Sequence, residues 1–389
     1  MKILLTTIFD IPHVGGLSTH VLTLKDGLES KGHTVDIFSF SDMNPFIKKA
    51  VAQAPGFLLN KWKKGKGQML NDQNRGKLLT FYLKKIAHTY DVINAQDVIA
   101  TLAALSTGKP TVATVHGYFA YEAISRGSII KGSKEDIEIQ RIEREAYRGA
   151  SEVISVDKRI RDYIQKQANV NAHQIKNFIN VNDFNPTAID NKKLRAHYQV
   201  HEQANVLLVP RRLTEKNGVI YPVIALQKIL HEFPNTLLLY AGTGEQLEVL
   251  RQKVDEFRLQ NHVRFLGSVP HEKMIELYGI ADVVLVPSIH SYGVEEATSI
   301  SALEAMGSGS PVVASAVGGL KEIFDHQVDG WLVEEKNIDD LANAVVTLLT
   351  NRDIAIQLAT RARDKVEKEY SHIVAAEKYA NIYHKAMSK

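Results

Sequence analysis

Two doubly wound α/β halves, each a parallel sheet covered by helices, are what this 389-residue sequence predicts. Three observations carry the prediction. Short runs of β-branched and aliphatic residues recur and are apolar on both faces, as strands buried in a parallel sheet are. Amphipathic stretches of helical length separate most of them. Near residue 180 the alternation stops in a run of turn formers and then restarts, in a chain long enough for two domains of ordinary size.

The elements follow in order. Residues 3–9 form the first apolar run; Gly15 and Gly16 follow it, and an amphipathic helix extends to about Lys31. Runs at 35–40, 92–95, 112–115 and 153–156 read as further buried strands. Asn177-Phe-Ile-Asn-Val-Asn-Asp-Phe-Asn-Pro186 is rich in turn formers and closes a strand. The second series is 206–209, 237–240, 263–266, 283–286, 312–314 and 330–333. The expected domains are 1–183, with the final helix 371–389 packing back on it, and 184–370. A hinge is expected near 180–190.

One segment breaks the alternation. Lys48, Lys49, Lys61, Lys63, Lys64, Lys66, Arg75, Lys77, Lys84 and Lys85 face a single acid, Asp72, with Phe57, Leu58, Leu59 and Trp62 interleaved. Segment 48–85 is either a solvated excursion whose aromatics dock on the core or a patch that meets an anionic lipid or acceptor. Near an anionic membrane each Lys or Arg contributes roughly 1 kcal/mol.

Composition removes several classes. A net charge of +3 gives no overall basic field, so nucleic acid is not an expected partner. The absence of cysteine excludes disulfides and thiolate metal sites. The apolar run at the start is too short for a signal peptide, and no window of about 18 residues is apolar enough to span a membrane. A cytoplasmic protein is expected, with peripheral contact at the inner membrane face as the extension offered by segment 48–85.

The chemistry concentrates in the second half. Glu296 and Glu304 stand eight positions apart, the first in a loop after a strand and the second on the following helix. Two acids so placed suit two hydroxyl-rich parts of one ligand. Arg212 and Lys216 follow the strand at 206–209, where ligands of open α/β sheets bind. Arg offers a fork to phosphate oxygens and Lys a point charge. Gly242-Thr-Gly244 is either a tight turn or a phosphate approach. Gly267 and Val269 end a strand in the same layer and offer backbone groups to a nucleobase. In the first half, Gly15 and Gly16 permit close backbone approach, and His116 ends a strand. No metal-protease, nucleophile-elbow or P-loop motif is present, and no Asp-x-Asp occurs, so no metal or cofactor is expected.

These residues together resemble the GT-B glycosyltransferases of the retaining family GT4 over nearly the whole length. The Glu296-to-Glu304 segment, with Ala305-Met306 and Gly309-x-Pro311-Val-Val after it, carries most of the likeness. Gly15-Gly16, His116-Gly117, Arg212-Leu213, Glu215-Lys216, Gly242-x-Gly244 and Gly318-Gly319 with Glu322 add to it. The resemblance implies two Rossmann-like domains facing each other across a cleft. It implies retaining transfer of a sugar from a nucleoside diphosphate sugar, with UDP the expected carrier, to a glycan, glycolipid or small-molecule hydroxyl. It further implies roles. Arg212 and Lys216 hold the diphosphate, Glu304 the ribose, Glu296 and His116 the transferred sugar, and Gly16 the donor–acceptor junction. Three departures stand out. Arg211 replaces the Gly that usually precedes Arg-Leu, and Asn217 intervenes between Lys216 and Gly218. Ala297-Thr298-Ser299 replaces a Gly-Phe-Gly-like run, so backbone N–H groups near Thr298, Ser299 and Ile300, with the two hydroxyls, are expected at the phosphates and sugar. The rival readings are a non-catalytic nucleotide-sugar-binding accessory protein, a phosphorylase or epimerase on the same fold, and a dinucleotide oxidoreductase. The last needs a third glycine that neither glycine turn has.

Overall fold

The computed structural model describes residues 1–13, 16–62, 66–125, 129–185, 191–291 and 298–389. They divide into two units, Met1–Asn177 with His372–Lys389, and Phe178–Ser371. The division falls six residues before the expected one because Ile179 and Phe184 are buried in the core of the second unit.

In the first unit, β1 (Lys2–Thr6), β2 (Thr34–Phe38), β3 (Val92–Ala95), β4 (Thr111–Val115), β5 (Glu152–Ser155) and β6 (His173–Gln174) form one sheet. Its order is β2-β1-β3-β4-β5-β6, and every neighbouring pair is parallel. β3 and β4 are buried along their whole length, which is why they read as largely apolar runs, broken in β3 by Asn94 alone. β6 has two residues, too few for a pattern. The helix Gly16–Ser30 buries Val21, Leu24 and Leu28. The C-terminal helix His372–Met387 belongs to this unit and buries Ala375, Ala376, Tyr379, Ile382 and Tyr383.

The described parts of segment 48–85, residues 48–62 and 66–85, are helical. The helix Lys66–Ile86 sends Leu79 and Leu83 into a core with Phe40, Tyr90 and Ile93. Burial of one such leucine contributes about 1.5–3 kcal/mol. Lys77, Lys84 and Lys85 stay exposed on its outer side. Phe57 is 64% and Phe81 53% exposed, so these aromatics do not dock as core. Lys63 and Lys64 lie outside the described residues, as does the placement of the Leu58, Lys61, Trp62 and Lys66 side chains.

The second unit repeats the plan with β7 (Asn205–Val209), β8 (Thr236–Ala241), β9 (Val263–Gly267), β10 (Val283–Val286), β11 (Val312–Ser315) and β12 (Trp331–Val333). The order is β12-β11-β10-β7-β8-β9, again parallel throughout. Alternate residues feed separate cores. Val206, Leu208, Val284 and Val286 enter one; Leu207, Val209, Val283 and Leu285 enter the other. This is the two-faced burial expected of a strand with a period of two.

The strand order fixes where a ligand site can form. After β9 the chain returns across the sheet to pair β10 with β7. The loops leaving β7 and β10 therefore run to opposite faces and open a crevice at their carboxyl ends. In the first unit the equivalent point lies between β1 and β3. No helix among the described residues is long and apolar enough to cross a membrane.

Candidate functional site

The loop after β7 is Pro210-Arg211-Arg212-Leu213-Thr214, followed by a tight 3-10 turn at Glu215–Asn217. Gly218 ends that turn at φ 62°, and a Cβ there would sit 1.8 Å from the Pro287 carbonyl oxygen. Only glycine lets the β7 loop lie this close to the backbone after β10. A backbone bond from Ile289 N to Lys216 O, 2.9 Å, joins the same two loops. On the other side, a Cβ on Gly242 would meet Arg211 O at 2.0 Å, and one on Gly244 would meet Leu213 O at 2.3 Å. The Gly242-Thr-Gly244 turn thus packs its backbone directly on the Arg211–Leu213 backbone.

Arg212 and Lys216 are exposed on this loop. Asn217 is buried and donates from Nδ2 to Arg212 O at 2.8 Å, which fixes the backbone from which Arg212 projects. The neighbouring Arg211 is buried and turns the opposite way, into the protein.

Glu304 lies on the helix Ile300–Gly307 that follows β10. It is 6% exposed. The Tyr278 hydroxyl donates to its Oε2 at 2.8 Å, and His271 Nδ1 lies 3.4 Å from its Oε1. Burial pushes the Glu304 carboxyl above its usual pKa, against the opposing pull of His271 and the Tyr278 bond. Thr298 and Ser299 are buried just before this helix, and Ile300 is its first residue. The Ser299 hydroxyl accepts from Arg211 Nη1 at 2.6 Å, so a side-chain partner already engages it. Gly267 ends β9 at φ 72° with open space where a Cβ would stand. Val269 packs part-buried on the adjacent core. Glu296 lies outside the described residues, so the expected pairing of Glu296 with Glu304 rests on the sequence alone.

In the first unit, His116 follows β4 and its Nε2–H donates to Gln96 Oε1 at 2.9 Å. Gln96 Nε2 donates to Asn94 Oδ1 at 2.7 Å, and the Tyr383 hydroxyl of the C-terminal helix donates to the same oxygen at 2.9 Å. The His20 ring stands edge-on to His116 with centroids 4.5 Å apart. His20 Nδ1 bonds Asn177 Oδ1 at 3.1 Å and its Nε2 bonds the Tyr379 hydroxyl at 3.2 Å. Burial lowers the His20 pKa to about 4. Burial, and next the neighbouring His20, hold His116 well below the usual histidine value. Both imidazoles are therefore neutral at pH 7. Gly16 opens the helix Gly16–Ser30 and is exposed, while Gly15 lies outside the described residues. Asp97, half-buried after β3, accepts from Thr7 Oγ1 at 2.8 Å, Ile8 N at 2.9 Å and Ala100 N at 2.7 Å. It ties the loop after β1 to the helix after β3.

Sequence reading missed Arg211 as a bonded centre and missed Asn217, His20, Gln96 and Asp97. Asp97 alone had a local signal, as a helix-capping residue before the apolar run Val98–Leu105.

Comparison with known proteins bears on both units. Residues 190–365 match the family described as glycosyl transferases group 1. Residues 14–183 match the one described as glycosyltransferase family 4. An uncharacterized glycosyltransferase of Methanocaldococcus jannaschii is 29% identical over 395 residues, covering 96% of this chain and 95% of that one. A GDP-mannose-dependent phosphatidylinositol monomannoside mannosyltransferase of Mycobacterium tuberculosis is 29% identical over 205 residues, 52% of this chain and 53% of its own. The solved structure of Anabaena HepE with UDP-glucose has a similar fold, with a TM-score of 0.73, 21% identity and 99% of each chain covered.

Proposed function

Because the chain belongs to the family 4, group 1 glycosyltransferases and has their GT-B fold, we propose that it transfers a hexose from a nucleoside diphosphate sugar to an acceptor hydroxyl, with retention and without a metal. One observation carries the reading. The exposed Arg212 and Lys216 and the buried Glu304 belong to elements that leave β7 and β10, the two strands at the switch point of the second sheet. Cations for a diphosphate and an acid for a ribose are thereby attached to one crevice.

In the proposed reaction the bond from the anomeric carbon to the β-phosphate oxygen breaks. The acceptor oxygen bonds that carbon on the same face, and the acceptor proton passes to the departing diphosphate. The products are the glycoside and the nucleoside diphosphate. No protein base is needed. Arg212 and Lys216 stabilise the charge that develops on the leaving group, and the fixed loops supply orientation. The neutral His116 offers a hydrogen-bonding group to the sugar rather than a charge, and Glu296 is assigned to the sugar hydroxyls.

Transfer is expected to persist in excess EDTA, and NMR of the product is expected to show the donor's anomeric configuration. Loss of turnover in EDTA, restored by one divalent metal, removes metal independence; an inverted product removes the same-face path. UDP-glucose, UDP-N-acetylglucosamine and GDP-mannose form the donor panel, with a uridine donor proposed. Preference for GDP-mannose, the donor in the name of the mycobacterial relative, replaces that part alone.

We also propose that the enzyme is cytoplasmic and meets an anionic membrane through the helices at 48–85. Exposed Lys49, Lys77, Lys84 and Lys85 beside exposed Phe57 and Phe81 support this. Sedimentation with phosphatidylglycerol vesicles is expected at low salt and not with phosphatidylcholine vesicles. Equal recovery with both lipids contradicts it.

A further inference from the structure

Arg211 and Asn217 stand six positions apart on the loop after β7, and Ser299 is remote from both in sequence. The fold makes them neighbours. Arg211 Nη1 donates to Ser299 Oγ at 2.6 Å and to Ser301 Oγ at 3.1 Å. Its Nη2 donates to Asn217 Oδ1 at 2.8 Å and to Ser288 Oγ at 3.2 Å. The guanidinium thus touches its own loop after β7, the loop after β10 and the start of the helix Ile300–Gly307. Asn217 passes the connection on, through Nδ2, to the Arg212 carbonyl at 2.8 Å.

We propose that Arg211 is the positioning residue of the diphosphate site. Its buried fork sets the loop bearing Arg212 and Lys216 against the first turn of the helix that carries Glu304. The planar guanidinium fixes its N–H directions, so partners on three segments are held in one arrangement. A lysine at 211 has a single nitrogen on a flexible stem and does not reproduce that fork. Arg211 itself is 7% exposed and its side chain is engaged inward, so it acts through Arg212 and Lys216 rather than as the main phosphate contact. A side-chain clamp bonded to Asn217 and Ser299 sets the loop geometry here.

This inference rests on the donor site proposed above. The test uses the full chain and isothermal titration with UDP and GDP, each beside its nucleoside. Arg211→Met is expected to raise the Kd for the diphosphate that wild type binds by at least tenfold, with the nucleoside Kd unchanged within twofold. Arg211→Lys is expected to recover only a small part of the loss. Adding Ser299→Ala to Arg211→Met is expected to cost less than the two single effects combined, because both remove one contact. Should Arg211→Met not fold, Ser299→Ala with Ser301→Ala removes two acceptors and keeps the cation; a loss of at least threefold for diphosphate alone is then expected. Unchanged diphosphate affinity in the variants overturns the proposal. Equal weakening of diphosphate and nucleoside overturns it too, since that marks general loosening of the unit. If wild type binds neither UDP nor GDP, the donor-site reading falls and this inference with it; failure in the variants alone leaves that reading standing.

Discussion

Lys216→Ala and Arg212→Ala are each expected to lower kcat/KM for sugar transfer by about 30- to 1,000-fold, with the thermal midpoint unchanged. The size comes from charge. Two unit charges about 4 Å apart at an effective dielectric near 20 interact by about 4 kcal/mol. A partly wet crevice retains about half of that, and about 1.4 kcal/mol is tenfold in rate. The unchanged midpoint comes from placement. Both side chains are exposed on the loop after β7, while the packing of that loop rests on Gly218, Asn217 and the backbone bond to Ile289. Steady-state kinetics and a thermal melt on the same samples check both halves. A variant that melts early and loses activity in proportion speaks for a structural role instead.

Glu304→Ala produces the second large effect, and it moves binding and stability together. A carboxylate accepting from sugar hydroxyls forms charge-assisted bonds of about 1.5–3 kcal/mol each. Losing two weakens nucleotide binding by roughly 100-fold or more. The same change removes the nearer acceptor of the buried Tyr278 hydroxyl, leaving Ser301 O at 3.3 Å, a loss of about 0.5–1.5 kcal/mol in stability. Glu304→Gln keeps an acceptor for Tyr278 and separates the two, with stability near wild type and binding still weakened. pH gives an independent sign. The raised pKa means that the Glu304 carboxyl takes up its proton at a higher pH than an ordinary glutamate. Nucleotide affinity therefore starts to fall on acidification above the usual glutamate range. In the fold it is the ionised form that is disfavoured, so the contribution of Glu304 to stability rises as pH falls through that pKa. Titrations across pH are expected to show affinity falling in wild type and flat in Glu304→Gln.

The strands at 92–95 and 283–286 are legible to the residue because both faces are buried and every position but Asn94 is apolar. Glu304, Arg212 and Lys216 were legible because chain order places them just after such strands. Residues whose partners are distant were not. Arg211 reaches Ser299 across 88 positions, and His20 reaches Asn177 across 157. Neither pairing leaves a periodic trace. His20 sits on the inward face of an amphipathic helix, where a polar residue reads as a break in the pattern rather than as one end of a hydrogen-bonded pair. The helix Lys66–Ile86 is obscured by Lys77, Lys84 and Lys85, which are exposed while Leu79 and Leu83 enter the core. The same charge that suggested a surface excursion is what keeps this side of the helix in water.

In the proposed function, protein cations at the β7–β10 crevice hold a nucleoside diphosphate. Calorimetric titration of wild type and the Arg212→Ala/Lys216→Ala double variant tests it, using UDP or GDP, whichever wild type binds, beside the matching nucleoside. Diphosphate binding in the double variant is expected to be at least 100-fold weaker, with nucleoside binding equal to wild type. Diphosphate bound equally tightly by both proteins contradicts it.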